Sequence, residues 1–174
     1  MRHLADVAHT ELHWKQPHLF DSTYEFVSGD EPVATLEFRT TFGSFATART
    51  GDGSWTFKRV GFWRRRATVR EEGAPNDLAV FEHDTWSRGG TLTIAGGPAI
   101  RVTTNLWQSR IEFLLEDDTV LFRYRTEGIM RHGAELEMEQ AGARMKELPW
   151  LLAFGWYLVV MMRHDSATTA VVIS

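Results

Sequence analysis

The chain has no cysteine among its 174 residues, which excludes disulfide bonds, thiolate metal sites and a cysteine nucleophile. It also has no excess of positive charge, because 19 lysines and arginines stand against 23 aspartates and glutamates, for a formal net charge of -4. Domains dedicated to nucleic acid normally carry a basic surface, so we expect no nucleic-acid partner. The first residues, MRHLADVAHTELHW, lack the apolar core of a secretory signal, which predicts a cytoplasmic location.

The motifs of common enzyme classes are also missing. The sequence contains neither a G-x-S-x-G nucleophile elbow nor a phosphate-binding glycine loop, so we predict no catalytic residue and no cofactor. His9 and His13 have the spacing of a helical zinc motif, but Glu11 lies midway between them, where that motif has no glutamate, and we predict no metal site. The histidine–acid groups at 82–84 and 163–165 are interpreted as structural, since no nucleophile can be assigned to them.

Short runs of alternating polar and apolar residues dominate positions 10 to 140. Tyr24 and Phe26 flank Glu25, and the same alternation recurs as far as Met138. A period of two is typical of strands with one face in a core and one in water. Glycine, aspartate and proline separate the runs, for example at 29–32 and 96–98, and indicate hairpin turns. The pattern predicts an antiparallel meander of about twelve strands.

The apolar faces of so many strands need a cover. A sheet closed into a barrel provides one and also removes the exposed sheet edges. A barrel of about twelve strands is too wide for its own side chains to fill, so its centre requires another element. The chain length and the hydrophobic content of 43% suit one domain over residues 1–174, with barrel strands at about 10–140.

One long apolar run, LPWLLAFGWYLVVMM at 148–162, breaks the alternating pattern. As an α-helix it would extend about 22 Å, which is shorter than the hydrocarbon core of a bilayer at about 30 Å. Arg163, His164 and Asp165 follow at once, and a longer span would bury their charges. A helix that is apolar on all sides must be buried in a membrane or in protein, and length and flanks favour protein. We predict no transmembrane span and a central helix at about 147–164; a membrane anchor is the alternative.

The predicted fold is therefore mainly β, a closed antiparallel barrel of about twelve strands around a buried hydrophobic C-terminal helix. This arrangement resembles the tubby C-terminal-like superfamily, which includes tubby domains, phospholipid scramblases and plant LURP-one-related proteins. The resemblance rests on the order of elements over roughly residues 10–170, and it implies a barrel threaded by the helix. The segments WTFKRVGFWRRRATVR (55–70) and TTNLWQSRIEF (103–113) also look like a group of small bacterial proteins of uncharacterised function.

The resemblance implies a binding partner, although two features found in the superfamily are missing from this sequence. Tubby domains bind phosphoinositides through basic residues on the barrel, so anionic lipid is the implied ligand. The cysteine-rich palmitoylation segment of scramblases is absent, since the chain has no cysteine. The turn at 116–118 is too short for a calcium-binding loop.

The densest basic segment lies at 58–66. At a hairpin tip, its cations would bind a phosphate or anionic head group while its aromatic side chains insert at a membrane interface. The alternative is a solvated strand face whose charges lie beside acids of neighbouring strands. The predicted binding residues are the cations Lys58, Arg59, Arg64, Arg65 and Arg66, with Phe62 and Trp63 as interface aromatics.

Seven tryptophans raise the question of a ligand cavity. Large aromatic side chains fill wide gaps well, so we predict that they pack between the barrel wall and the helix; the alternative is that they line a pocket. Those in or beside strands are Trp14, Trp55, Trp63, Trp86 and Trp107.

Two classes of function follow from these observations. The favoured hypothesis is a non-enzymatic binding or interaction module, whose outer barrel surface binds anionic lipid, phosphoinositide-like head groups or a protein partner, with the protein peripheral to the membrane. The alternative is a small-molecule carrier or an unrecognised enzyme with a pocket between the helix and the barrel wall. No feature of the sequence indicates an oligomeric state.

Overall fold

A computed structural model describes residues 1, 3–18, 21–41, 43–60, 66–84, 89–105, 107, 109–126 and 133–172, with the backbone alone for residues 5 and 166–172. The helices in these residues are α1 (Leu4–Val7), α2 (Gln140–Ala143) and α3 (Leu148–Val172). The strands are β1 (Leu12–Lys15), β2 (Thr23–Ser28), β3 (Glu31–Phe38), β4 (Phe45–Thr50), β5 (Ser54–Val60), β6 (Arg66–Glu71), β7 (Ala79–His83), β8 (Gly90–Ile94), β9 (Ala99–Thr104), β10 (Arg110–Leu115), β11 (Val120–Thr126) and β12 (Ala134–Met138).

The twelve strands form one closed antiparallel barrel, as predicted from the alternating pattern. Each strand pairs with its neighbours in the chain, and β1 closes the sheet by pairing with β12, where Leu12 lies opposite Leu136. Closure leaves none of the twelve described strands with an unpaired edge, which removes the usual route to edge-to-edge association.

The alternation of side chains places one face of each strand in the core. In β5, Trp55 and Phe57 are buried, whereas Lys58, which points to the opposite face, is exposed. In β4 the buried positions include Ala46 and Ala48, whose small side chains leave room for the helix. The helix backbone approaches closely to β3, β4 and β5.

The hairpin turns at the end where α3 begins use residues that tolerate positive φ. Gly96 has φ 68° and Asp118 has φ 66°. Glycine has no Cβ to clash in this region, and aspartate is among the few other residues that adopt it readily. These turns match the punctuation that predicted the meander.

Helix α3 fills the centre of the barrel. Its side chains from Leu148 to Met161 are buried, apart from the partly buried Pro149. Aromatic contacts reach opposite walls, because Phe154 packs against Phe57 of β5 and Phe81 of β7, whereas Trp156 packs against β1, β2 and β11. The predicted buried helix is therefore confirmed, and it continues to Val172, beyond the predicted limit near 164.

No helix in the described part of the chain combines the length and hydropathy needed to cross a membrane. Helix α1 lies at the end of the barrel where α3 begins and packs against α3. It is held to the β4–β5 turn by Asp52, whose carboxylate accepts a hydrogen bond from the Leu4 backbone N–H at 2.9 Å. Buried Leu4 and Val7 extend the core at this end.

Candidate functional site at the helix exit mouth

The two ends of the barrel differ in what they expose. We call the end where α3 leaves the barrel the exit mouth; it contains the ends of the odd-numbered strands and the beginnings of the even-numbered ones. The opposite end, where α3 begins, is called the far end. The exit mouth includes two strand ends within the predicted basic segment, Val60 of β5 and Arg66 of β6, which pair with each other.

Arg59 joins the barrel wall to the emerging helix. It has the same parity in β5 as buried Trp55 and Phe57, so its side chain lies on the inner face. Its two terminal nitrogens donate to the two carboxylate oxygens of Asp165 at 3.0 and 3.1 Å. This bidentate geometry is the strong form of an arginine–carboxylate pair and fixes the position of the helix at this level.

Lys58 and Arg66 have the opposite parity and face outward. Lys58 is exposed, and Arg66 lies one strand away on the same outer face. Arg66 Nε is buried and lies 3.8 Å from a carboxylate oxygen of Glu82 on β7, while about two fifths of the Arg66 side chain is exposed (43%). The three described cations of the basic segment therefore divide between two faces, with Arg59 inside.

The remaining predicted binding residues, Phe62, Trp63, Arg64 and Arg65, lie outside the described residues. Their role as head-group ligands or interface aromatics stays a prediction. The same applies to Trp86 among the tryptophans.

A second arginine lies on the helix side of the mouth. The Arg163 Cζ lies 5.2 Å from the centre of the Trp156 ring, a cation–π geometry. The same indole contacts Tyr24 of β2 edge-on, with ring centres 5.7 Å apart. Burial lowers the pKa of the Arg163 guanidinium and raises that of the Tyr24 hydroxyl, while their mutual interaction acts against both shifts.

Two further contacts seat the helix in the mouth. Tyr157 donates its hydroxyl hydrogen to the Ser44 backbone carbonyl at 2.7 Å, and burial raises the pKa of this phenol. His164 packs against Phe38 with ring centres 6.3 Å apart. Burial lowers the pKa of the His164 imidazole, so the ring is neutral at pH 7.

The tryptophans divide between core and surface. Trp14, Trp55 and Trp156 are buried, as predicted, and Trp14 stacks on Trp156 with ring centres 5.8 Å apart. The prediction is wrong for Trp107, which is 80% exposed between β9 and β10 at the exit mouth. Its position beyond a strand end, and not within the alternating face of a strand, keeps it out of the core.

The hairpin connections at the far end are acidic. The five hairpin connections there, residues 29–30, 51–53, 72–78, 95–98 and 116–119, contain no lysine or arginine. Their acidic residues are Asp30, Asp52, Glu72, Asp77, Glu116, Asp117 and Asp118. Arginines on adjacent strands pair with three of them, Glu72, Asp77 and Asp118.

The histidines near the N-terminus each lie in a different local setting. His9 is exposed in the turn after α1, and His13 lies in β1 opposite Glu135. No group of three histidine or carboxylate side chains suited to a metal ion occurs among the described residues.

A groove of about 500 Å³ at the β1–β12 seam is lined by residues 11–14 and 133–136.

Comparison with known proteins adds no relative: no family model, curated protein or solved structure matches this chain. The exit mouth must therefore be interpreted from its own chemistry. It combines an internal ion pair, a second arginine against an indole, outward-facing cations and an exposed tryptophan. These groups can hold an anion.

Proposed function

We propose that this protein is a non-enzymatic binding module whose outer surface at the exit mouth binds anionic lipid head groups, which would place it at the periphery of a membrane. The observation that carries the proposal is the exposed Trp107 at the same end of the barrel as the outward-facing Lys58 and Arg66. Tryptophan is enriched at membrane interfaces, and each cation near an anionic surface contributes about 1 kcal/mol.

The charge distribution supports this orientation. The hairpin connections of the far end carry seven acidic residues against the two exposed cations Arg144 and Lys146, and this excess of negative charge is unfavourable for contact with an anionic surface. Approach by the exit mouth keeps these carboxylates on the opposite side of the barrel. A protein partner with an acidic surface would also fit the exit mouth, and vesicle flotation distinguishes the lipid partner from the protein partner.

The fold supports a family proposal of the same kind. A closed barrel of twelve antiparallel strands around one C-terminal apolar helix is the arrangement of the tubby C-terminal-like superfamily, with its scramblase-like and LURP-one-related members. We propose membership in this superfamily on that architecture. Binding of lipid by the barrel surface agrees with the membership but does not depend on it.

The test is flotation of the full chain with vesicles. We expect binding to vesicles containing phosphatidylserine, no binding to phosphatidylcholine alone, and weaker binding as salt shortens the range of charge interactions. The double variant Lys58→Glu, Arg66→Glu should lose at least about 2 kcal/mol of binding free energy, or roughly thirtyfold in affinity, because it removes two attractive charges and adds two repulsive ones.

The matched control is Arg144→Glu, Lys146→Glu, which changes the net charge by the same amount. These two exposed cations lie between α2 and α3, at the far end. The control variant should bind vesicles like the wild type. Equal loss in both variants would show that only total charge matters, and an absence of vesicle binding in the wild type would refute the lipid proposal in favour of a protein partner.

A further inference from the structure

Among the described residues of the exit mouth, Arg66 Nε on the barrel wall is buried without a hydrogen-bond partner, and so are two nitrogen atoms that belong to neighbouring side chains of α3. Arg163 Nη2 and Trp156 Nε1 are both inaccessible, and no described residue supplies either with a partner. The contrast with Trp14 is direct, since Trp14 Nε1 donates to the Tyr124 hydroxyl, which in turn donates to the Leu152 carbonyl. Buried donors without acceptors are rare and destabilising, so these two donors indicate a ligand that supplies the acceptors.

The helix geometry explains why the guanidinium lies inside the barrel. Arg163 follows Trp156 by seven residues, two turns later on the same face of α3. Side chains of a helix lean toward its N-terminus, which here is the direction of the barrel interior. The Arg163 charge is thus directed back over the indole, although the residue as a whole is only partly buried.

Within the part of the chain that the structure describes, no carboxylate compensates this charge. No acidic side chain of the described residues lies within ion-pair distance of Arg163, and the nearby Asp165 already accepts from Arg59 with both oxygens. A partly buried cation without a counter-ion is unfavourable. The Arg163 guanidinium lies beside the polar aromatic side chains of Trp156 and Tyr24, and the three together point to an anion from outside the chain.

We propose that Arg163, Trp156 and Tyr24 form a binding site for a monocarboxylate inside the exit mouth. The guanidinium, the indole N–H and the phenol O–H supply donors, and a carboxylate has two oxygens to accept from them. One unpaired cation matches one negative charge, whereas a multiply charged phosphate would leave charge uncompensated in an aromatic environment. The carboxylate reaches the buried nitrogens when the Arg163 side chain rotates toward the mouth.

The surroundings also indicate the rest of the ligand. Phe38 packs edge-on against Tyr24 and also contacts the rings of Tyr157 and His164, so aromatic side chains surround the donors. An apolar chain attached to the carboxylate suits this lining. The site does not use the outer cations Lys58 and Arg66, so this proposal can be tested independently of the lipid-surface proposal.

The test uses hexanoate and its neutral isostere hexanamide. The indole N–H signal of Trp156, assigned with Trp156→Phe, is followed by nitrogen–proton NMR during each titration. Hexanoate should shift this signal and raise the melting temperature, and hexanamide should do neither. Arg163→Gln should weaken hexanoate binding at least roughly tenfold, because it removes the charged hydrogen bonds.

Lys58→Gln is the matched control, since it removes one positive charge from the outside of the same mouth, and it should bind hexanoate like the wild type. Tyr24→Phe gives a second variant if Arg163→Gln fails to fold, with a smaller loss of affinity expected. The proposal is overturned if hexanoate leaves the Trp156 signal unchanged, if hexanamide shifts it equally, or if binding survives in Arg163→Gln. Vesicle flotation of Arg163→Gln should match the wild type, which keeps the two proposals distinguishable.

Discussion

Gly155 is the position at which the axial location of the helix can be tested most sharply by mutation. A Cβ atom added there would lie 2.9 Å from Tyr124 Cε2 and 3.0 Å from Phe113 Cζ. Neither ring can move away easily. Phe113 is stacked on Phe122 with ring centres 4.4 Å apart, and Tyr124 is held by the hydrogen bond from its hydroxyl to the Leu152 carbonyl at 2.8 Å.

The expected cost of Gly155→Val follows from these contacts. On a helix without close neighbours, the change would stabilise by a few tenths of a kcal/mol at most, because valine has a higher helix propensity than glycine. Inside a filled barrel it adds three carbon atoms to a packed region, and overpacking costs about 1–3 kcal/mol. The net result is a loss of about 1–3 kcal/mol, which lowers the melting temperature by roughly 2–10 °C.

Urea denaturation gives the free energy of unfolding, and a second substitution checks the cause of the loss. Phe113→Leu removes one of the two rings that the new side chain would meet. The double variant should therefore be more stable than the sum of the single effects implies, by at least about 0.5 kcal/mol. A Gly155→Val protein as stable as the wild type would refute the axial packing, since a lipid-facing or solvent-facing helix accepts the change.

Arg59→Met should reduce the free energy of unfolding by about 1–2 kcal/mol, because it leaves the partly buried Asp165 without its bidentate partner, and Arg59→Met with Asp165→Leu should recover most of the loss. Equal losses in the single and double variants by urea denaturation would contradict this. Burial raises the pKa of all three tyrosines, Tyr24, Tyr124 and Tyr157. The unfolded chain then releases phenol protons first, so stability is retained below the unfolded tyrosine pKa of about 10 and falls above it, by up to about 1.4 kcal/mol per pH unit for each tyrosine. Tyrosinate absorbance that rises near pH 10 while the protein is still folded would disprove the burial of these rings.

The architecture could be predicted because it follows from local patterns. Alternation with a period of two specifies strands with an inner and an outer face, and the turn residues between them specify a meander. The run at 148–162 has no polar face and must be buried on all sides, and a wide barrel of about twelve strands has a centre that needs such an element. These rules do not depend on contacts between distant residues.

The organisation of the exit mouth could not be predicted in the same way. Arg59 was grouped with Lys58 and Arg66 by sequence proximity, although parity with Trp55 and Phe57 was a usable signal that its side chain faces inward. Its partner Asp165 is 106 residues away and is located only by the axial position of the helix. The proximity of Arg163 to Tyr24 depends on the same three-dimensional arrangement.

Trp107 illustrates a different limit of sequence interpretation. Composition predicts that a tryptophan near a strand is buried, but the end of β9 at Thr104 leaves it beyond the alternating pattern. Whether a large side chain just past a strand end is buried depends on the exact end of the strand, which local patterns define poorly. Its exposure is therefore information that only the structure supplies.

Amide hydrogen exchange of α3 in detergent-free solution tests the central claim, a helix enclosed by a closed barrel, most directly. The amides from Leu151 to Met161 should exchange only through global unfolding, as slowly as those of β10 and β11, because the barrel must open before water reaches them. Exchange of these helix amides at the rate of an exposed helix, while the strands remain protected, would contradict the account.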